Sequence, residues 1–223
     1  MIQGLRRTSR GAVSAPLFGA PSGRWGPVVC VVQGELYFLF FTAVSVALHP
    51  GFVLKRDEGG MSDYGLHVKT AVTYTLALGL LALYSRRAAL FYTGSDERSR
   101  RLRLLLQTYC FVVSSVLLST YFYSLNLALK DLHFACGTAL VVVVGVASLW
   151  MYGLWPPSPG VRLLLLIQLT GDALALLTSV GAVHVLFLSE IVSNVGFACL
   201  LVRTTRRIAV EGEQRSSALG MSS

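Results

Sequence analysis

The sequence is short of charge. Only 13% of its 223 residues are Asp, Glu, Lys or Arg, against 54% hydrophobic. A soluble domain carries about 25% charged residues. The deficit, with a mean hydropathy of +0.63, excludes an ordinary water-soluble surface and points to lipid as the solvent.

Cysteine is scarce too. Cys30, Cys110, Cys136 and Cys199 all lie inside apolar runs, with no CxxC spacing. That pattern excludes a disulfide framework and a zinc ribbon, and leaves four small buried hydrophobes. A secretory leader is not evident either. Residues 1–26 begin with a basic cluster, Arg6, Arg7 and Arg10, but the apolar core and cleavage site of a signal peptide do not follow. The segment reads as a flexible cytosolic tail. The basic residues that give the net charge of +8 are dispersed in clusters between apolar runs rather than gathered on one face. This argues against nucleic acid as a partner and for topological signals and anionic lipid.

Long apolar runs are what the chain does have. A helix needs ~20 apolar residues to cross ~30 Å of hydrocarbon. Spans are expected at about 28–48, 64–84, 104–123, 132–154, 161–180 and 183–203. His49-Pro50-Gly51 stops the first, Arg86-Arg87 the second and Trp155-Pro156-Pro157 the fourth. Residues 163–202 contain no Lys or Arg and would make ~60 Å of helix, enough for two crossings. Gly181 lies near the middle and suits a tight turn.

Charge tests the count. Arg6, Arg7, Arg10 and Arg24 precede the first span. Arg86, Arg87, Arg98, Arg100, Arg101 and Arg103 lie between the second and third. Arg162 lies between the fourth and fifth, and Arg203, Arg206, Arg207 and Arg215 follow the sixth. Those fifteen alternate with only four elsewhere, at Lys55, Arg56, Lys69 and Lys130. Positive charge stays inside, so both termini are expected in the cytoplasm. The expectation is an all-α, polytopic bundle of six spans in the cell membrane. It occupies residues 27–204, with a second flexible cytosolic tail at 205–223.

Acids inside spans are costly, roughly 2.5–3.5 kcal/mol on insertion scales, and are functional candidates for that reason. Three occur: Glu35, Asp172 and Glu190. Gln168 and Asp172 are four apart, as are Glu190 and Asn194, so each pair shares a helix face. Asp172 and Glu190 are each nine residues from Gly181, which a fold-back would bring to similar depth, ~13 Å below the turn. A polar seam of Gln168, Asp172, Glu190 and Asn194 is expected between the last two helices, with Glu35 on helix 1 as the candidate third wall. Without a cation nearby, burial favours the neutral acid. The plain reading is hydrogen-bonded glue between helices. The functional one is a proton- or cation-linked pathway, or a pocket for a lipid head.

His49, His67, His133 and His184 map to outer ends, with Asp57, Glu58, Asp63 and Asp131 on the same side. Histidine with carboxylate suits zinc or copper, and facing histidines suit haem. No pair has metal-ligand spacing. The reading therefore assigns no metal and no cofactor, and takes His49, Asp63, His67, His133 and His184 as an outer polar mouth. Ser114, Ser115 and Thr170 lack any nucleophile motif, and no catalytic residue is assigned. The six arginines of Arg86–Arg103 are the expected lipid head-group contact.

Ser62-Asp63-Tyr64-Gly65, just before the second apolar run, together with Asp131-Leu132-His133, resembles the six-helix DRAM/Frag-like membrane proteins and their bacterial relatives. The resemblance implies a six-span bundle with the Ser62–Gly65 loop folded into the outer mouth, and implies no enzyme activity. From the residues alone, Ser62 or Asp63 caps the second helix. The lead expectation is a non-enzymatic membrane protein that binds a lipid, a partner membrane protein or its own copy through the outer mouth. The rivals are a small ion-coupled transporter using Asp172 and Glu190, and a haem or metal redox protein.

Overall fold

The computed structural model describes residues 25–51, 60–93, 96–123, 125–154 and 158–220, the last nine by backbone only. Asp57, Glu58, the Trp155-Pro156-Pro157 stop and residues 1–24 of the expected tail lie outside the described residues. Helices make up the regular structure: α1 Gly26–Leu48, α2 Ser62–Leu66, α3 Ala71–Leu90, α4 Glu97–Thr120, α5 Leu127–Gly153, α6 Pro159–Ser179 and α7 Leu186–Gly220.

Each long helix packs on the next, from α3 round to α7, and α7 returns to α1, which lies along α3. The ring closes, with α1–α3 and α6–α7 the most extensive pairings and the short α2 lodged against α3 and α4. Tyr109, Phe197, Leu102, Leu106 and Leu201 fill its interior. Leu, Phe and Val side chains such as Phe40, Phe111, Leu118, Val146 and Leu166 point outward instead. So broad an exposed apolar surface has its partner in hydrocarbon. Five helices are long and apolar enough to cross a membrane: α1, α4, α5, α6 and the Leu186–Glu211 part of α7. The result is a helical membrane bundle.

Helix limits differ from the sequence expectation where caps outweigh hydropathy. The second apolar run divides. Residues 62–66 form α2, His67 turns extended, and Thr70 Oγ1 closes the corner by donating to the Tyr64 carbonyl at 2.7 Å. The long helix α3 then begins at Ala71 and continues through Arg86 and Arg87 to Leu90, so the arginines do not end it. Cations are favourable near a helix C-terminus, and Arg87 also lies over the Tyr84 ring, 5.6 Å from its centroid. With both arginines inside it, α3 is not among the five apolar helices. The cap expected from Ser62 or Asp63 is not formed at α2, whose N-cap position is Met61.

Three other starts are set by side-chain caps. Asp96 Oδ2 accepts from Ser99 N at 3.0 Å, so α4 starts before the basic run rather than after it. Asn126 and Ser158 do the same for α5 and α6. After Ser179, Gly181 adopts φ +75°, and the Ala182 and Gly181 N–H groups donate to Leu177 and Thr178 carbonyls, both at 2.9 Å. This is a Schellman-type ending that needs a residue without Cβ. The chain folds back there, as the sequence suggests. Beyond residue 203, α7 does not give way to a flexible tail but remains helical to Gly220. Its residues 204–212 include good helix formers, and Arg98 of α4 reaches Glu211 at 3.1 Å.

Candidate functional site

The α6–α7 hairpin sets the geometry. Two glycines let its helices touch backbone to backbone. A Cβ on Gly171 would stand 2.4 Å from Ser193 N, and one on Gly196 would stand 2.7 Å from Gln168 Cβ. In the gap, Ser193 Oγ donates to Asp172 Oδ1 at 2.5 Å and Gln168 Nε2 donates to Oδ2 at 2.5 Å. Gln168 Oε1 is buried with no partner among the described residues. Gly145 of α5 faces the same carboxyl, since a Cβ there would be 3.2 Å from Oδ2. The expected Gln168–Asp172 face is therefore real, and Ser193 completes it.

A quarter-turn round α7, Asn194 is the centre of a second cluster. Its Nδ2 donates to Glu35 Oε2 of α1 at 3.1 Å, and its Oδ1 accepts from Tyr109 OH of α4 at 3.2 Å. The Tyr109 ring in turn packs on Phe197, with centroids 4.9 Å apart. Glu35 is buried, as a wall of the interior should be, but it meets Asn194 rather than Asp172.

Glu190, one turn from Asn194, does not join Asp172. Its Oε2 accepts from Met61 N at 2.7 Å, which ties α7 to the start of α2. The reason is register: Asp172 lies opposite Ser193, nearly a full turn along α7 from Glu190, whose carboxyl instead reaches Met61. The single seam expected from the sequence is therefore two clusters and a tether.

The tether belongs to a third group at the α2 end of the bundle. Ser119 Oγ donates to the Val116 carbonyl at 3.1 Å and also lies 3.0 Å from His133 Nδ1. With its proton committed, Ser119 accepts from Nδ1–H, so the bare Nε2 of His133 accepts from Ser62 Oγ at 2.9 Å. The Tyr123 ring stacks on His133 at 5.0 Å, and its hydroxyl donates to Asp63 Oδ1 at 3.3 Å. Gly65 is pressed between Tyr74 and Thr120, whose hydroxyls lie 2.9 Å apart, and a Cβ there would come within 2.6 Å of the Tyr74 ring. Ser62–Gly65 is thus seated in the end of the bundle between α3, α4, α5 and α7. Chemically, a serine hydroxyl facing an oriented imidazole is either a firm latch or a nucleophile beside its base.

The remaining predicted positions separate. His49 and His67 stand edge to face, 4.3 Å between centroids, and His184 is exposed in the fold-back. Desolvation, then the neighbouring His49 and Lys69, holds the His67 imidazole below its ordinary pKa. Among the described residues no three His, Cys, Asp or Glu side chains converge as metal ligands would. Arg86, Arg87, Arg98, Arg100, Arg101 and Arg103 gather at the opposite end. There Glu97 pairs with Arg100 and Arg101, both at 2.6 Å, and all these partners are at least half exposed.

Sequence reasoning missed Ser119, Tyr109 and Ser193. The signal for Ser193 was present: Ser189, Ser193 and Gly196 follow one another by four and three, a stripe of small residues suited to close helix packing. Tyr109 and Ser119 leave no such mark, because their partners are remote in sequence.

Fold and site together define an α-helical membrane bundle with buried acids and a polar closure at one end. Comparison with protein-family models, with curated proteins and with solved structures gives no match.

Proposed function

We propose that the chain is a non-enzymatic, multi-pass protein of the plasma membrane that binds a lipid head at its outer polar end. In this reading α1, α3, α4, α5, α6 and α7 are six spans, both termini are cytoplasmic, and the α2 end faces outward. The fifteen-to-four partition of Lys and Arg supports that orientation. The 20 residues of α3 supply ~30 Å of helix, enough for the sixth crossing.

One observation carries the binding role. The Met61–Gly65 segment is seated on polar partners from the turn after α4, from α5 and from α7, through Asp63–Tyr123, Ser62–His133 and Met61–Glu190. Hydroxyl, imidazole and carboxylate groups held together at a bilayer boundary match the donors and acceptors of a lipid head. Among the described residues no three His, Cys, Asp or Glu side chains converge, which favours binding over metal-centred redox chemistry.

Lipid identification by mass spectrometry on protein purified in mild detergent tests the proposal. A single lipid class should be retained, and the Ser62→Ala/His133→Ala variant should lose it. Retention of a membrane protein instead of a lipid would transfer the role to a partner, and retention of neither would overturn the reading. Covalent labelling of Ser62 by a fluorophosphonate would overturn its non-enzymatic part. A reporter fused after Val210 should be cytosolic; an external signal would reverse the topology.

Ion-coupled transport is a second reading. It is favoured by the burial of Glu35 and Asp172, neither of which has an ion-pair partner among the described residues. Flux in proteoliposomes that survives Asp172→Asn with Glu190→Gln and Glu35→Gln together would remove it.

A further inference from the structure

The end of the bundle away from α2 has its own concavity, of about 370 Å³, lined by Arg203, Arg206, Arg207, Val210 and Glu211. These residues follow each other at helical spacing, so α7 presents them on one face. Arg203 is held in place, because its Nη2 donates to Ser158 Oγ, the cap of α6, at 3.3 Å. Its Nε is buried and has no hydrogen-bond partner among the described residues. The one acid in the lining, Glu211, is engaged by Arg98 of α4 at 3.1 Å. Neither Arg203 nor Arg206 is in an ion pair among the described residues.

Among the described residues Arg203 and Arg206 therefore bring the lining positive charge that no acid pairs, in groups that act as forked donors. Guanidinium groups match the oxygens of a phosphate in pairs, and a dianionic phosphomonoester balances several of them at once. A buried N–H without an acceptor is unfavourable, and an anion in the cavity would supply the acceptor for Arg203 Nε. Val210 gives the same cavity an apolar wall. The uninterrupted apolar run of α7 ends at Val202, so the cavity begins where the helix leaves the region able to sit in hydrocarbon.

We infer that this cavity binds a phosphomonoester, as carried by an anionic phospholipid head such as that of phosphatidate or by free phosphate. The inference goes beyond the lipid reading of the α2 end and uses none of its residues. It also differs from a generic basic surface, which would respond to net charge alone.

The test uses the full chain in phosphatidylcholine nanodiscs. One set is doped with phosphatidate and another with phosphatidylserine, matched in surface charge, and lipid retained after detergent extraction is measured by mass spectrometry. Phosphatidate should be enriched about tenfold over phosphatidylserine, equivalent to 1.4 kcal/mol. Arg203→Gln with Arg206→Gln should abolish the preference, while Arg100→Gln with Arg103→Gln on α4 should leave it unchanged. Arg206→Gln alone, at an exposed position without an ion pair, should weaken it without disturbing the fold.

Inorganic phosphate added to lipid-free protein in detergent distinguishes the sources. A rise in thermal midpoint that Arg206→Gln removes would make free phosphate an occupant. No rise, with phosphatidate preference intact, would make the lipid head the occupant. Equal retention of the two lipids without a phosphate effect, or an equal response in the α4 control, would overturn the inference. Because Ser62 and His133 play no part, the Ser62→Ala/His133→Ala variant should keep this preference even if the α2 end binds nothing.

Discussion

Two faces of α7 solve the same problem differently. Toward α6 it presents Ser189, Ser193 and Gly196, and buries the acid Asp172 by bringing backbones together until the short Ser193 hydroxyl reaches it, beside Gln168 of α6 itself. Toward α1, α4 and α2 it presents Glu190, Asn194 and Phe197, and buries Glu35 by extending an amide across a wider gap filled by Tyr109. The first face depends on the absence of side chains, the second on the exact complement of one side chain. Close packing should therefore tolerate polar substitution but not bulk, and the amide bridge the reverse.

The strongest way to break that contrast is Gly171→Ala. The added methyl meets the Ser193 backbone, which has no rotamer to yield, so about 3 kcal/mol of stability should be lost. Thermal unfolding in detergent measures it, and an unchanged midpoint would show that the helices do not cross so closely. Asn194→Leu keeps similar bulk but leaves Glu35 and Tyr109 without their bridge, and should cost about 2 kcal/mol. Adding Glu35→Leu should recover part of that loss, and strict additivity in the double-mutant cycle would deny the contact. Gly181→Ala strains the turn that joins the two helices and should cost about 1 kcal/mol, read as a lower midpoint. Arg101→Ala, at an exposed pair on α4, should change stability by about 0.4 kcal/mol or less and so sets the baseline against which both faces are judged.

The sequence made the hairpin legible because two independent signals agreed there: a 40-residue run without Lys or Arg, and a glycine in the middle. Gln168 with Asp172 was readable for a similar reason, since helical spacing fixes which residues share a face. Spacing cannot fix the rotation of one helix against another. That rotation decided that Asp172 meets Ser193, that Glu190 turns to Met61, and that Asn194 serves Glu35. The division of the second apolar run was hidden as well. Thr70 and His67 make the corner through local hydrogen bonds that hydropathy does not register, and Arg86 and Arg87 looked like a terminus although they are good helix formers.

The 35 residues of α7 amount to ~52 Å of helix, against ~30 Å of hydrocarbon. The crossing at Gly196 is the fulcrum of that rod, and Gly220 lies 24 residues, or ~36 Å, beyond it. A tilt of ~5° about the glycine contact would sweep the far tip by ~3 Å over that length. The longest helix is thus also a lever, with its short arm toward the fold-back and its long arm running past the buried Leu201 to the Arg98–Glu211 contact and beyond.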